Sequence, residues 1–122
     1  MRNVRRAVIL LPIAVVAFGQ DAVKVAPKNF KILAENADVR VVQDTLKPGE
    51  SEPMHTHPAG WYYVTQPGTM KITAADGKSS TWEAKNGEQA WMEAEGPHRS
   101  ENVGRTTLQY VLVEVKSAGH PR

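Results

Sequence analysis

Gly49-Glu50-Ser51-Glu52-Pro53-Met54-His55-Thr56-His57-Pro58-Ala59-Gly60-Trp61 begins a pattern that closes at Gly68. A second pattern runs from Gly87 through Glu93, Glu95 and His98 to Asn102. His55 and His57 are separated by one residue. Side chains in a strand alternate between faces with period two, so both imidazoles point the same way. A third histidine brought in by a distant strand can complete a three-imidazole metal site.

The chain around these patterns reads as strands. β-prone stretches fall at 30–34, 39–46, 52–57, 61–66, 70–74, 81–84, 89–92, 98–103 and 107–116. Lys47-Pro48-Gly49-Glu50, Pro58-Ala59-Gly60, Pro67-Gly68 and Asn86-Gly87 separate them as turns. Asp76-Gly77 marks a hairpin between 70–74 and 81–84. Strands arrive every eight to twelve residues and no segment holds a 3.6-residue apolar period. The chain is therefore expected to form a single all-β domain, a sandwich or barrel.

The two patterns resemble the cupin family, whose motifs read G-x5-H-x-H-x3/4-E-x6-G and G-x5-P-x-G-x2-H-x3-N. Gly49, His55, His57 and Gly68 match the first, and Gly87, His98 and Asn102 match the second. Trp61 stands where the family places a glutamate ligand, and Glu93 and Glu95 replace a proline and a glycine. The resemblance implies a double-stranded β-helix, the cupin jelly-roll barrel, over residues 30–116. It also implies that His98 joins His55 and His57 as metal ligands, with the site inside the barrel mouth.

Three histidines leave coordination positions open, the form of a catalytic rather than a closed structural site. Zn, Fe, Mn, Ni and Cu all accept imidazole, and the sequence does not choose among them. Indole cannot ligate a metal through its N–H, so Trp61 does not replace the glutamate. Glu93 or Glu95 offers a substitute charge, although loop acids usually face water. Trp61, Tyr63 and Thr65 share one strand face, with Tyr62 and Val64 on the other. If the first set faces inward, Trp61 shapes the pocket and the Tyr63 phenol is the candidate acid–base group. Ser100 shares the face of His98 and Asn102 and is a candidate pocket residue. Arg99 points away from that face, and Asn102 is expected to fix a turn. Trp82, Trp91, Met54, Met70 and Met92 are expected to pack in the core or between sheets. His120 lies in the polar tail, outside any motif.

Composition limits the function classes. The chain has 122 residues, 15 Lys+Arg against 13 Asp+Glu, and no cysteine. Thiolate chemistry, thiolate metal sites and disulfides are thereby excluded. Arg2, Arg5 and Arg6 precede the mostly apolar run 7–18, and Ala17-Phe18-Gly19 offers small residues for cleavage. Residues 1–19 read as a secretory signal peptide, too short to span a membrane. From residue 20 onward the balance becomes 12 basic against 13 acidic residues, a net charge of −1. The basic character belongs to the leader, and no basic patch argues for nucleic acid. A polar lead-in at 20–29, loosely held, and a tail at 117–122 flank the barrel. The expected location is the periplasm or the exterior, with no membrane partner after cleavage.

Two functions follow. One is a metal-dependent enzyme acting on a small organic substrate, of oxygenase, isomerase or lyase type. The other is a module that binds a metal or small ligand without turning it over. The two differ in whether the metal's open positions meet solvent or are capped by Trp61. Exposed sheet edges and the aromatic strand leave room for a homodimer.

Overall fold

The computed structural model describes residues 20–118. A short helix, α1 (Ala22–Val25), precedes nine strands. They are β1 (Phe30–Glu35), β2 (Val39–Leu46), β3 (Ser51–His57), β4 (Gly60–Gln66), β5 (Gly68–Ala74), β6 (Ser79–Ala84), β7 (Gln89–Met92), β8 (Glu95–Asn102) and β9 (Leu108–Val115). A 3-10 turn, Lys116–Ala118, follows. The strands form a five-stranded sheet in the order β1-β2-β9-β4-β7 and a four-stranded sheet in the order β3-β8-β5-β6. All the strand pairs are antiparallel. This is the double-stranded β-helix expected of the sequence. The leader at 1–19 and His120 lie outside the described residues.

Alternation builds the core. Leu108, Tyr110, Leu112 and Glu114 are buried along β9, with half-buried residues between them. Directly opposed residues in an antiparallel pair share a face. β9 therefore sets the inward parity of β2, where Val42 and Leu46 are buried, and of β4, where Val64 is buried. Met70 and Ala84 close the core from the second sheet, and Phe30 enters it from β1.

Two glycines permit close geometry. Gly49 has φ +83° in the turn before β3, a left-handed conformation that costs glycine little. At Gly60 a Cβ would collide with the carbonyl oxygen of Val113, so only glycine lets β4 lie this close to β9.

Three expectations need correction. The lead-in is packed: Ala22 and Ala26 are buried, and Asp21 forms a parallel bridge with Thr56. The Thr56 N–H donates to the Gln20 carbonyl at 2.7 Å, tying this segment to the histidine strand. β8 starts at Glu95, so Glu95 belongs to a strand rather than a loop. Trp91 is 78% exposed, because it points outward from edge strand β7 and has no second layer over it.

Candidate metal centre

His55 and His57 lie on β3 and His98 on β8, with His55 opposite His98 in the register. The register shifts on both sides of that pair, between Glu52 and His55 and between His55 and His57. Bulges of this kind re-aim side chains, and here they turn all three rings inward. The ring centroids lie 4.4 Å apart for His55 and His98, 4.8 Å for His55 and His57, and 5.3 Å for His57 and His98. One potential ligand atom from each ring lies within 4.8 Å of the others, and all three residues are buried.

Hydrogen bonds decide which nitrogens are free. His55 Nδ1 donates to the Pro53 carbonyl at 2.7 Å, and His98 Nδ1 donates to the Gly96 carbonyl at 2.8 Å. A carbonyl only accepts, so both Nδ1 atoms carry the proton and both Nε2 atoms keep a lone pair. His55 Nε2 is buried with no hydrogen-bond partner. An orphaned acceptor among three clustered imidazoles is an arrangement that could hold a metal ion. Burial, with the neighbouring imidazoles adding to it, holds His55 down to about 3. Burial likewise lowers His98. Both rings are therefore neutral near pH 7, the form that binds a metal.

A cavity of about 220 Å³ opens beside His57 and His98. Tyr62, Trp82 and Tyr110 form its aromatic wall, while Met70, Met92, Ile72 and Leu112 complete the apolar surface. Glu95 is the carboxylate on that wall. Tyr62 donates to Glu88 at 2.7 Å and the Trp82 indole donates to the same oxygen at 3.0 Å, which fixes both rings. Burial and the Glu88 carboxylate push the Tyr62 phenol up to about 12, so it stays protonated.

The aromatic strand faces the opposite way from the one that would have put Trp61 in the pocket. Tyr62 pairs with Leu112 and Val64 with Tyr110, both inward, whereas Trp61 and Tyr63 pair with Val113 and Val111 on the outer face. Trp61 and Tyr63 sit against each other there, with rings 6.0 Å apart. Neither lines the cavity, and Tyr63 is not placed for acid–base work. Ser100 is buried on the His98 face but lies below the cavity, paired with Glu52. Glu93 is exposed. Asn102 does fix a turn: its amide donates to the Leu46 and Thr106 carbonyls at 2.7 and 2.8 Å and its oxygen accepts from Gly104 N at 2.9 Å.

The sequence reading missed a set of buried polar residues. Asp44, Glu52 and Glu114 are each at most 4% exposed, and Tyr110 is 6% exposed. Asp44 is opposite Tyr110 in one sheet, and Glu52 is opposite Ser100 in the other. Burial, with the adjoining carboxyl adding to it, pushes Glu52 up to about 11, and burial also raises Asp44. Burial therefore favours the protonated form of both carboxyls. The legible signal was a charged residue on the apolar parity of a strand, as with Asp44 between Val42 and Leu46.

The family model for the cupin domain matches residues 42–114. Solved structures with the same fold include a cupin domain from Bordetella pertussis Tohama I, at 20% identity over 70% of this chain and 90% of that one, TM-score 0.64. A conserved protein with a double-stranded β-helix domain from Klebsiella pneumoniae aligns at 25% identity over 74% of this chain and 78% of that one, TM-score 0.56. The polyketide cyclase RemF from Streptomyces resistomycificus aligns at 18% identity over 70% of this chain and 63% of that one, TM-score 0.53. No curated protein matches the chain.

Proposed function

The chain belongs to the cupin domain family, and from that premise we propose that it holds one divalent transition ion on His55, His57 and His98 and acts as an enzyme on a small organic substrate. The observation that carries this reading is the set of free ring nitrogens. Two of the three rings have Nδ1 locked on a backbone carbonyl, and the Nε2 of the most buried ring has no partner. Such an arrangement is costly unless something accepts those lone pairs.

The ion, drawn from Zn, Fe, Mn, Ni and Cu, would supply Lewis acidity or oxygen activation. The chain's own residues would do the rest. The cavity's size and largely apolar lining suit a compact substrate with one polar or anionic end toward the histidines. Glu95 is the carboxylate placed to hold or move a proton at such an end. Tyr62 and Trp82, fixed by Glu88, would orient the apolar part. Trp61 does not cap the site, which favours turnover over a closed binding module. Oxygenase, isomerase and lyase chemistry all fit this set of residues.

We place the protein outside the cytoplasm, because the arginine-rich, apolar leader reads as an export signal. A homodimer would use the outer face of the five-stranded sheet, where Trp61, Tyr63 and the exposed Trp91 lie.

Elemental analysis of protein purified without chelators or a histidine tag tests the metal reading. About one equivalent of a single transition metal, lost in a His55→Ala/His57→Ala double variant, is the expected result. Protein that stays empty after reconstitution with all five ions overturns it.

A further inference from the structure

His57 differs from the other two histidines. His55 and His98 hand their Nδ1 protons to carbonyls two residues earlier on their own strands. His57 Nδ1 has no hydrogen-bond partner and faces a carboxylate across the barrel, Glu114 Oε2 at 3.8 Å. The two side chains are 3% and 4% exposed. Glu114 Oε2 is also buried and unpartnered.

Glu114 is held from behind. Arg40 stands opposite it in the β2–β9 register. Its Nε and Nη2 donate to Glu114 Oε1 at 2.8 and 2.7 Å. The same guanidinium grips Asp21 at 2.7 and 3.2 Å. Asp21 is in turn bridged to Thr56, the residue between His55 and His57. The chain Asp21–Arg40–Glu114 carries one positive and two negative charges, so it presents one net negative charge behind His57.

Resting on the metal reading above, we propose that Glu114 is the positioning residue for His57, and that the Asp21–Arg40–Glu114 chain supplies from behind the ligand a negative charge that the three imidazoles themselves lack. An ionised carboxylate only accepts hydrogen bonds, so its place beside Nδ1 favours the tautomer of His57 that carries the proton on Nδ1. The Nε2 lone pair is then directed into the cluster with those of His55 and His98. Carboxylates behind ligating imidazoles fix the tautomer and raise ligand basicity, and their loss costs about 10–100-fold in metal affinity. Asp21 extends this control to the packed lead-in segment, which would sense or stabilise the occupied site through the bridge to Thr56.

Glu114→Gln tests the proposal with little change of shape. Arg40 donates two hydrogen bonds to Oε1, so the amide oxygen takes that place and the amide NH2 turns toward His57. A donor there requires Nδ1 to accept, and the His57 proton moves to Nε2, closing the lone pair to metal. Multiple-bond proton–nitrogen-15 spectra of the metal-free full chain at neutral pH should therefore show His57 with Nδ1 protonated in the wild type and Nε2 protonated in Glu114→Gln. Zn²⁺ titration should show binding weaker by about 10–100-fold in that variant. Asp21→Asn also takes the chain's net charge from −1 to zero but leaves the tautomer alone. It should weaken Zn²⁺ by about two- to fivefold, the scale of a partly exposed ion pair. An Nδ1-protonated His57 in Glu114→Gln, with Zn²⁺ affinity unchanged, overturns the proposal. If Glu114→Gln does not fold, unchanged Zn²⁺ affinity in Asp21→Asn overturns the charge argument. A wild type that takes up no Zn²⁺ or other ion sinks the metal reading instead, and the tautomer spectra then decide the role of Glu114 independently.

Discussion

Glu52→Gln is expected to stabilise this protein at neutral pH, although it alters a fully buried polar side chain. Glu52 is 1% exposed, and burial together with Asp44 pushes its carboxyl up to about 11. The unfolded chain releases that proton near its ordinary value of 4.5. Between these limits the folded state binds more protons than the unfolded state, so stability falls as pH rises. The slope approaches about 1.4 kcal/mol per pH unit for one fully retained proton. From 4.5 to neutrality the loss reaches about 3.5 kcal/mol as an upper bound. Glutamine keeps the volume and cannot ionise. Urea unfolding monitored by tryptophan fluorescence should show a gain of about 1–3 kcal/mol at pH 7. The difference between variant and wild type should grow toward pH 9 and vanish near pH 4. A variant less stable than wild type at pH 7, or one offset by the same amount at every pH, would refute the retained-proton account.

The histidines give the opposite slope on the acid side. His55 is held down to about 3 and His98 is also lowered, so the unfolded chain takes up protons that these folded rings refuse. The histidine contribution to the stability of metal-free protein should fall as pH drops below 6.5, and His55→Asn should remove part of that fall. Urea unfolding with a transition ion at 100 times its Kd should show a gain of about 2.7 kcal/mol, a gain absent in His55→Asn. Asn102→Ala should cost about 2–4 kcal/mol without changing metal stoichiometry. It strands the Leu46 and Thr106 carbonyls and the Gly104 N–H, far from any ligand nitrogen, and denaturation with parallel metal analysis separates the two effects.

The candidate site was partly legible because its first members follow local rules. The single residue between His55 and His57 places both on one strand face, and the spacing to His98 carried the family resemblance. The direction of β4 was not legible. Trp61, Tyr63 and Thr65 looked as plausible an inner face as Tyr62 and Val64, since β-strand parity is symmetric until a neighbour breaks the tie. The register with β9 breaks it, by aligning Tyr62 with Leu112 and Val64 with Tyr110. That one alignment removes Trp61 and Tyr63 from the pocket and puts Tyr62 in their place. Trp91 failed for a related reason: an aromatic residue is buried only if a layer covers it, and β7 is an edge.

Strand pattern, turn residues, the three histidines and the absence of thiol chemistry were determined by the sequence alone, because each depends on residues close in the chain or on residue type. The tertiary structure decided everything that depends on two sheets facing each other. It joined Glu114 on β9 to His57 on β3, set Asp44 and Tyr110 against Glu52 and Ser100, and anchored Asp21 to Arg40. These partners lie on different segments of the chain, and only closure of the barrel brings their charges into a common interior of low dielectric, where a single carboxylate or proton alters both stability and chemistry.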